Sequence, residues 1–191
     1  MESENGRALH RTIIVVDVEK FTHGSRTNAD QLAVRAALYR SLRRAFDDSG
    51  IPWDDCHRED RGDGVFLLVP PEVPKALVVD RLPGALAEAL AEHDRATRRD
   101  GERVRARMAV HAGEVLPDRH GFTSASINLA FRLVEAPQLK SALAGSPGAS
   151  RSTCRCGCQL PGIWSATVTT TFARACWVSR WRMASGASSN R

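Results

Sequence analysis

Seven consecutive residues, TIIVVDV at 12–18, constrain this chain more than any other feature. A short, almost unbroken β-branched run reads as a buried strand. Asp17 stands near its end, where a carboxylate is out of place among buried apolar neighbours and therefore marks a point of interest.

The rest of residues 1–148 organises around that strand. Asn28 or Asp30 is set to cap a helix running to about Asp48, with Leu32, Ala36, Tyr39, Leu42, Ala45 and Phe46 on one face. Gly50-Ile51-Pro52 stops it. Strand-like runs at 53–60 and 65–69 are joined by Arg61-Gly62-Asp63-Gly64, and glycine on both sides of Asp63 is hairpin chemistry. Pro70-Pro71 ends the second run. A second long helix is expected from Lys75 to about Thr97, with a break near Pro83-Gly84. Val104, Ala106, Met108 and Val110 alternate with Arg103, Arg105 and Arg107 as a half-buried strand does. Residues 124–135 form a short amphipathic helix before Pro137. The order β-α-β-β-α-β predicts an α+β fold, the ferredoxin-like split βαβ sandwich.

Beyond Gly148 the sequence changes character, so we expect an incomplete domain at 1–148 and a separate tail at 149–191. All 22 acidic residues lie at or before Glu135, while six of the 27 Lys and Arg lie in the tail. The body therefore holds 21 basic against 22 acidic residues and is nearly neutral, so the overall charge of +5 does not argue for a nucleic-acid partner. The tail carries Cys154, Cys156, Cys158 and Cys176 with three of the four tryptophans, and no His, Asp or Glu. The C-x-C-x-C spacing differs from that of zinc knuckles. Interleaved Arg and Trp would suit single-stranded nucleic acid only on a fold that presents them. Out-of-frame translation of a GC-rich gene accounts best for this composition, and only 167–171 in the tail resembles a strand. No apolar run reaches the roughly 18 residues of a membrane span. Met1 to Arg11 lacks the apolar core of a secretory signal, so no membrane association and a cytoplasmic location are expected.

Asp17 at a strand end and Asp63 in a tight turn would meet at one end of the sheet in the proposed topology. Two converging carboxylates with backbone oxygens suit Mg²⁺ or Mn²⁺ that also carries phosphate oxygens. Each residue also has a local explanation, Asp63 as a hairpin-turn residue and Asp17 as a strand-end cap.

Four segments bear a family resemblance. VVDVEKFT at 15–22 resembles the first metal motif of the class III nucleotide cyclases, a strand ending D-[IV]-x-G-F-[ST]. EDRGDGV at 59–65 is similar to the hairpin with that family's second metal aspartate. RARMAVHAGEV at 105–115 resembles the strand [VI]-R-x-G-[IV]-H-x-G-E-[VL], and SINLAFRL at 126–133 the helix [VI]-N-x-A-[AS]-R-[LM].

The resemblance implies that Asp17, Asp63 and the backbone of Val18 hold two Mg²⁺ or Mn²⁺ ions. It implies that Lys20, Phe21 and Thr22 line the triphosphate, that Asn128 orients the ribose, and that Arg132 stabilises charge developing on phosphate. On a helix Asn128 and Arg132 are i and i+4 and share a face. Glu59 takes the base-reading position, where a carboxylate accepts from guanine N1–H and its amino group. Gly121 takes the second base-reading position, and His111 and Glu114 have structural duty. The implied activity is conversion of GTP, in preference to ATP, to the 3′,5′-cyclic nucleotide and pyrophosphate in intracellular signalling. The implied active form is a head-to-tail homodimer with two shared sites.

Departures from the motifs point to an alternative, a cyclase-homology module that binds nucleotide or dimerises without turnover. Lys20 replaces a glycine, Gly121 has no side chain to read a base, and the later strands expected after Ala144 are missing or replaced. A sheet without them would keep an unpaired edge.

Overall fold

In the computed structural model, which describes residues 7–22 and 26–144 and the backbone of 165–170, the run at 12–18 is the middle of the central strand. β1 (Leu9–Val18) pairs antiparallel with β3 (Gly64–Val69) on one side and β4 (Ala106–Asp118) on the other. β2 (His57–Asp60) flanks β3, and β5 (Gly121–Thr123) pairs with the far end of β4, giving the order β2-β3-β1-β4-β5. Each βαβ unit is thus split by one antiparallel strand, as the element order predicts.

Both faces of the sheet are covered, which is why β3 and residues 13–16 of β1 are apolar without alternation. Ile14, Val16 and Val18 pack under α1 (Asn28–Ser49) and α2 (Leu82–Ala96). Ile13 and Val15 pack on the opposite side with Ile127, Ala130 and Val134 of α3 (Ala125–Val134) and Leu139 of α4 (Pro137–Ala144). β2 and β5 stand far apart in strand order, yet the rings of His57 and Phe122 are 4.7 Å apart. The sheet therefore curls, and α3 lies in the hollow.

Several boundaries differ from the sequence expectation. The cap of α1 is Thr27, one residue earlier than expected, in a reciprocal box with Asp30: the Asp30 N–H donates to the Thr27 hydroxyl and the Thr27 N–H to the Asp30 carboxylate. Its inward face is Val34, Ala37, Leu38, Leu42, Ala45 and Phe46, whereas Leu32 is 70% exposed and Ala36 is exposed. Residues 53–56 form a turn instead of the start of a strand, because Trp53 leaves the sheet to pack edge-on against Phe46 at 5.0 Å. The second helix is interrupted just before Pro83 by a wide π-type turn at Leu77–Arg81, as a residue without an N–H in the first turn of α2 requires. α4 has no counterpart in the sequence expectation.

Past α4 one further strand, β6 (Ser165–Thr170), pairs antiparallel with β4 from Ala106↔Thr170 to His111↔Ser165. The edge expected to be open is therefore paired over this stretch by a segment of the tail. The cysteines and tryptophans of the tail lie outside the described residues.

Candidate functional site

The sheet register brings the two sequence-predicted carboxylates side by side. Asp17 pairs with Gly64, the residue after Asp63, and the Val18 N–H donates to the Asp63 carbonyl at 2.9 Å. Gly64 makes this approach possible: a Cβ there would lie 2.1 Å from the Val16 carbonyl oxygen. Only a residue without one lets the hairpin close this tightly on β1. Gly62, at φ 81, supplies the left-handed step of the turn. Asp63 is exposed at its tip.

Asp17 shares the face of Ile13 and Val15, beneath α3, and its side chain is only 16% exposed. Across the β1–β4 ladder its partner is Arg107, whose side chain is 10% exposed. The Arg107 Nε donates to Asp17 Oδ2 at 2.9 Å, and Nη2 donates to the same oxygen. Nη2 also reaches Glu135 Oε1 at 3.2 Å, and Glu135 is held in turn by Lys140. Burial pushes the Asp17 carboxyl up, the hydrogen bond and charge of Arg107 pull it down, and the charges of Asp63 and Glu135 push it up again. The balance leaves it above the ordinary carboxylate range.

Arg107 and Glu135 were not singled out as functional by sequence reasoning. Arg107 alternates with Arg103 and Arg105 and so reads as a solvent-facing position. The available signal was topological: a strand beside a doubly covered central strand has no free face, so an arginine on it needs a buried partner.

The loop after β1 keeps a glycine-like conformation although its glycine position is Lys20. Lys20 has φ 55, the only positive φ among the described non-glycine residues. A lysine in the left-handed region carries strain of order 1 kcal/mol or more. Arg26 braces the loop, donating to the Glu19 and Lys20 carbonyls at 3.3 Å and to the Arg103 carbonyl at 2.8 Å. Phe21 packs against the core on the α1–α2 side, and Lys20 and Thr22 are exposed.

Glu59 lies on β2, and its Oε1 meets His57 Nε2 at 2.9 Å. The curl of the sheet brings Gly121 to the same oxygen, since a Cβ at Gly121 would lie 3.4 Å from Glu59 Oε1. The two positions assigned to base reading by resemblance, 62 residues apart in the chain, are therefore neighbours.

Asn128 and Arg132 lie one turn apart on α3 and both are exposed. Ser124 caps this helix by accepting from the Ile127 N–H at 3.0 Å, and Phe131 packs on Phe66 with the Arg61 guanidinium 4.9 Å from its ring. Among the described residues no hydrogen bond or ion pair joins Asn128 or Arg132 to Asp17 or Asp63. His111 is buried within β4 and Glu114 is exposed further along it.

The donor set can be tested against a divalent ion. Two carboxylates on adjoining ladder positions and the Val18 peptide carbonyl are hard oxygen ligands of the type Mg²⁺ and Mn²⁺ accept. Both Arg107 bonds fall on Asp17 Oδ2, so Oδ1 is the oxygen a cation would use. Asp17 and Glu135 share the Arg107 guanidinium and the charge of Asp63 also acts on Asp17, which favours additional positive charge there. Among the described residues no group of three or more His, Cys, Asp or Glu forms a cage. The residues thus fit an ion that takes its remaining ligands from water and phosphate, and do not fit a protein-only site.

No sequence-family profile matches the chain, and no curated protein matches it by sequence. Solved structures do. The guanylyl cyclase Cya2 aligns at a TM-score of 0.54 and 19% identity, over 69% of this chain and 72% of its own. The catalytic core of a rhodopsin-guanylyl cyclase with converted specificity, in complex with ATPαS, aligns at 0.52 and 18%, over 70% and 75%. A bacterial light-regulated adenylyl cyclase aligns at 0.57 and 11%, over 71% of this chain and 42% of its own. The fold is that of a class III nucleotide cyclase catalytic domain. Among the described residues no helix is long and apolar enough to cross a membrane.

Proposed function

We propose that this chain is a nucleotide cyclase converting GTP, in preference to ATP, to the 3′,5′-cyclic nucleotide and pyrophosphate. The observation that carries the reading is the juxtaposition of Asp17 and Asp63 at the end of the central strand of a cyclase fold. Two Mg²⁺ or Mn²⁺ ions, held by Asp17, Asp63 and the Val18 carbonyl, would supply Lewis-acid polarisation of the triphosphate and of the ribose 3′-hydroxyl. The chain's own groups bind and orient. The backbone at Lys20, Phe21 and Thr22 offers N–H groups to phosphate, and the left-handed Lys20 keeps that backbone accessible. The Glu59 carboxylate accepts from the guanine N1–H and amino group.

Asn128 and Arg132 face solvent in a single copy, so they act on the nucleotide held by Asp17 and Asp63 of a second copy. The active form is therefore a head-to-tail homodimer. Asn128 orients the ribose, and Arg132 neutralises charge on the phosphate in the transition state.

Two observations favour a second reading, a module that binds nucleotide or dimerises without turnover. Arg107 already neutralises Asp17, and the lysine at position 20 is strained where a glycine would not be. Incubating the purified chain with Mn²⁺ and GTP and assaying cyclic GMP separates the two. Turnover abolished by Asp63→Ala supports the cyclase; metal-dependent GTP binding without product supports the module.

A further inference from the structure

The base-reading carboxylate does not stand alone. We propose that His57 is a positioning residue that holds one oxygen of Glu59 by a hydrogen bond, aims the carboxylate at the base and so favours guanine over adenine. The inference rests on the cyclase reading of Glu59 given above and extends it to a residue outside all four motifs.

His57 and Glu59 are two residues apart on β2 and therefore point to the same face. Their side chains meet at 2.9 Å, between Nε2 and Oε1. An ionised carboxylate only accepts, so the imidazole nitrogen donates, and the neutral ring is the Nε2–H tautomer. The ring is held from two sides, by Phe122 at 4.7 Å and an interplanar angle of 61°, and by Phe66 at 6.4 Å and 71°. Those contacts come from β5 and β3, so the donor is fixed by the tertiary structure and not by β2 alone.

The same oxygen is walled on its other side by Gly121, whose φ of 128 suits glycine and whose missing Cβ would sit 3.4 Å from Oε1. Glu59 Oε2 has Arg61 Nη1 at 3.9 Å. The carboxylate is thus held at one oxygen by His57 and has the Arg61 guanidinium near the other. This matters for base choice. Guanine offers adjacent donors at N1 and N2, which the two oxygens of a well-aimed carboxylate accept together, whereas adenine offers one donor at N6 beside an acceptor at N1 that repels a carboxylate oxygen. With no side chain at Gly121 to add a second contact, discrimination rests on how Glu59 is aimed.

The test compares the full-length chain with His57→Phe, which keeps a ring against Phe122 and Phe66 but removes the donor, and with His57→Gln, which restores an N–H donor. Calorimetry with Mn²⁺ and either GTP or ATP gives the GTP-to-ATP affinity ratio. We expect that ratio to fall about tenfold in His57→Phe, the usual worth of a hydrogen bond to a charged group, and to recover most of its value in His57→Gln. A nucleotide-independent readout accompanies it: imidazole ¹⁵N shifts should report the Nε2–H tautomer in the unsubstituted chain and a mixture in Glu59→Ala. An unchanged ratio in His57→Phe, or the same tautomer with and without Glu59, overturns the proposal while leaving the cyclase reading intact. A chain that binds neither nucleotide overturns both.

Discussion

Arg107 and Asp17 face each other across the β1–β4 ladder, with both guanidinium hydrogen bonds falling on one carboxylate oxygen. The same guanidinium reaches Glu135 at the end of α3, so one buried cation ties the central strand to the helix that carries Asn128 and Arg132.

Removing that cation leaves Asp17 buried and unpaired. Arg107→Met is expected to cost about 3 kcal/mol at neutral pH, in the range for breaking a buried pair. The pH dependence has a definite sign. Asp17 is already raised in the folded state, so its favourable contribution is complete below the unfolded carboxylate value and is lost as pH rises through the folded one. Arg107→Met moves the folded value further up. The stability gap between variant and parent, measured by urea denaturation, should therefore narrow as pH falls toward 4, the usual carboxylate range.

The raised Asp17 carboxyl also gives the proposed metal site a pH dependence. A proton competes with the cation for Asp17, so Mn²⁺ affinity should weaken on acidification while the pH is still above the ordinary carboxylate range. Titration calorimetry between pH 5 and 8 checks this. The fall on acidification should be smaller in Asp17→Asn; an equal fall in both chains would mean that Asp17 is not a ligand.

Gly64→Ala should be among the most damaging single-methyl additions in the chain. The added carbon would meet the Val16 backbone oxygen at 2.1 Å, and backbone cannot swing aside as a side chain can. A loss of about 2 kcal/mol or more is expected in chemical denaturation, with weaker Mn²⁺ binding because the hairpin carrying Asp63 is pushed off β1.

Tyr39 is the sole tyrosine and reports on the placement of β2. Burial, the hydrogen bond to Asp60 and the charge of Asp60 raise its phenol to about 12. Absorbance after a rapid pH jump should titrate near that value, and Asp60→Asn should lower it. A parent chain that titrates near 10, the unperturbed value, would contradict the packing of α1 on the hairpin.

How much of this was legible in the sequence follows from which forces are local. Asp17, Asp63 and the α3 helix were readable because a β-branched run, a Gly-Asp-Gly turn and a short amphipathic stripe before Pro137 declare themselves within a few residues. The inward face of α1 was misassigned because Leu32 and Ala36 fit a helical stripe that tertiary packing rotates toward Val34 and Ala37. Arg107 was invisible because its value depends on Asp17, 90 residues away, and on a strand register that no local pattern states. The same holds for Gly121 beside Glu59, which needs the curl of the whole sheet. β6 pairs through its backbone, and a backbone partner can be supplied by a sequence with little apolar pattern of its own.

The shared-site arrangement has a complementation test. Asp17→Ala and Asn128→Ala chains, each inactive alone, should regain up to about a quarter of parent activity when mixed, because random pairing makes half the dimers mixed and each of these has one intact site of two. No recovery at any mixing ratio would reject sites shared between copies.

The most direct measurement is thermal melting of the purified chain with and without Mn²⁺, and with Mn²⁺ plus GTP or ATP. Ligands that bind only the native state raise its melting temperature. The account predicts one cooperative transition, raised by metal and nucleotide together and more by GTP than by ATP. A melt indifferent to both ligands would contradict a nucleotide site built on Asp17 and Asp63.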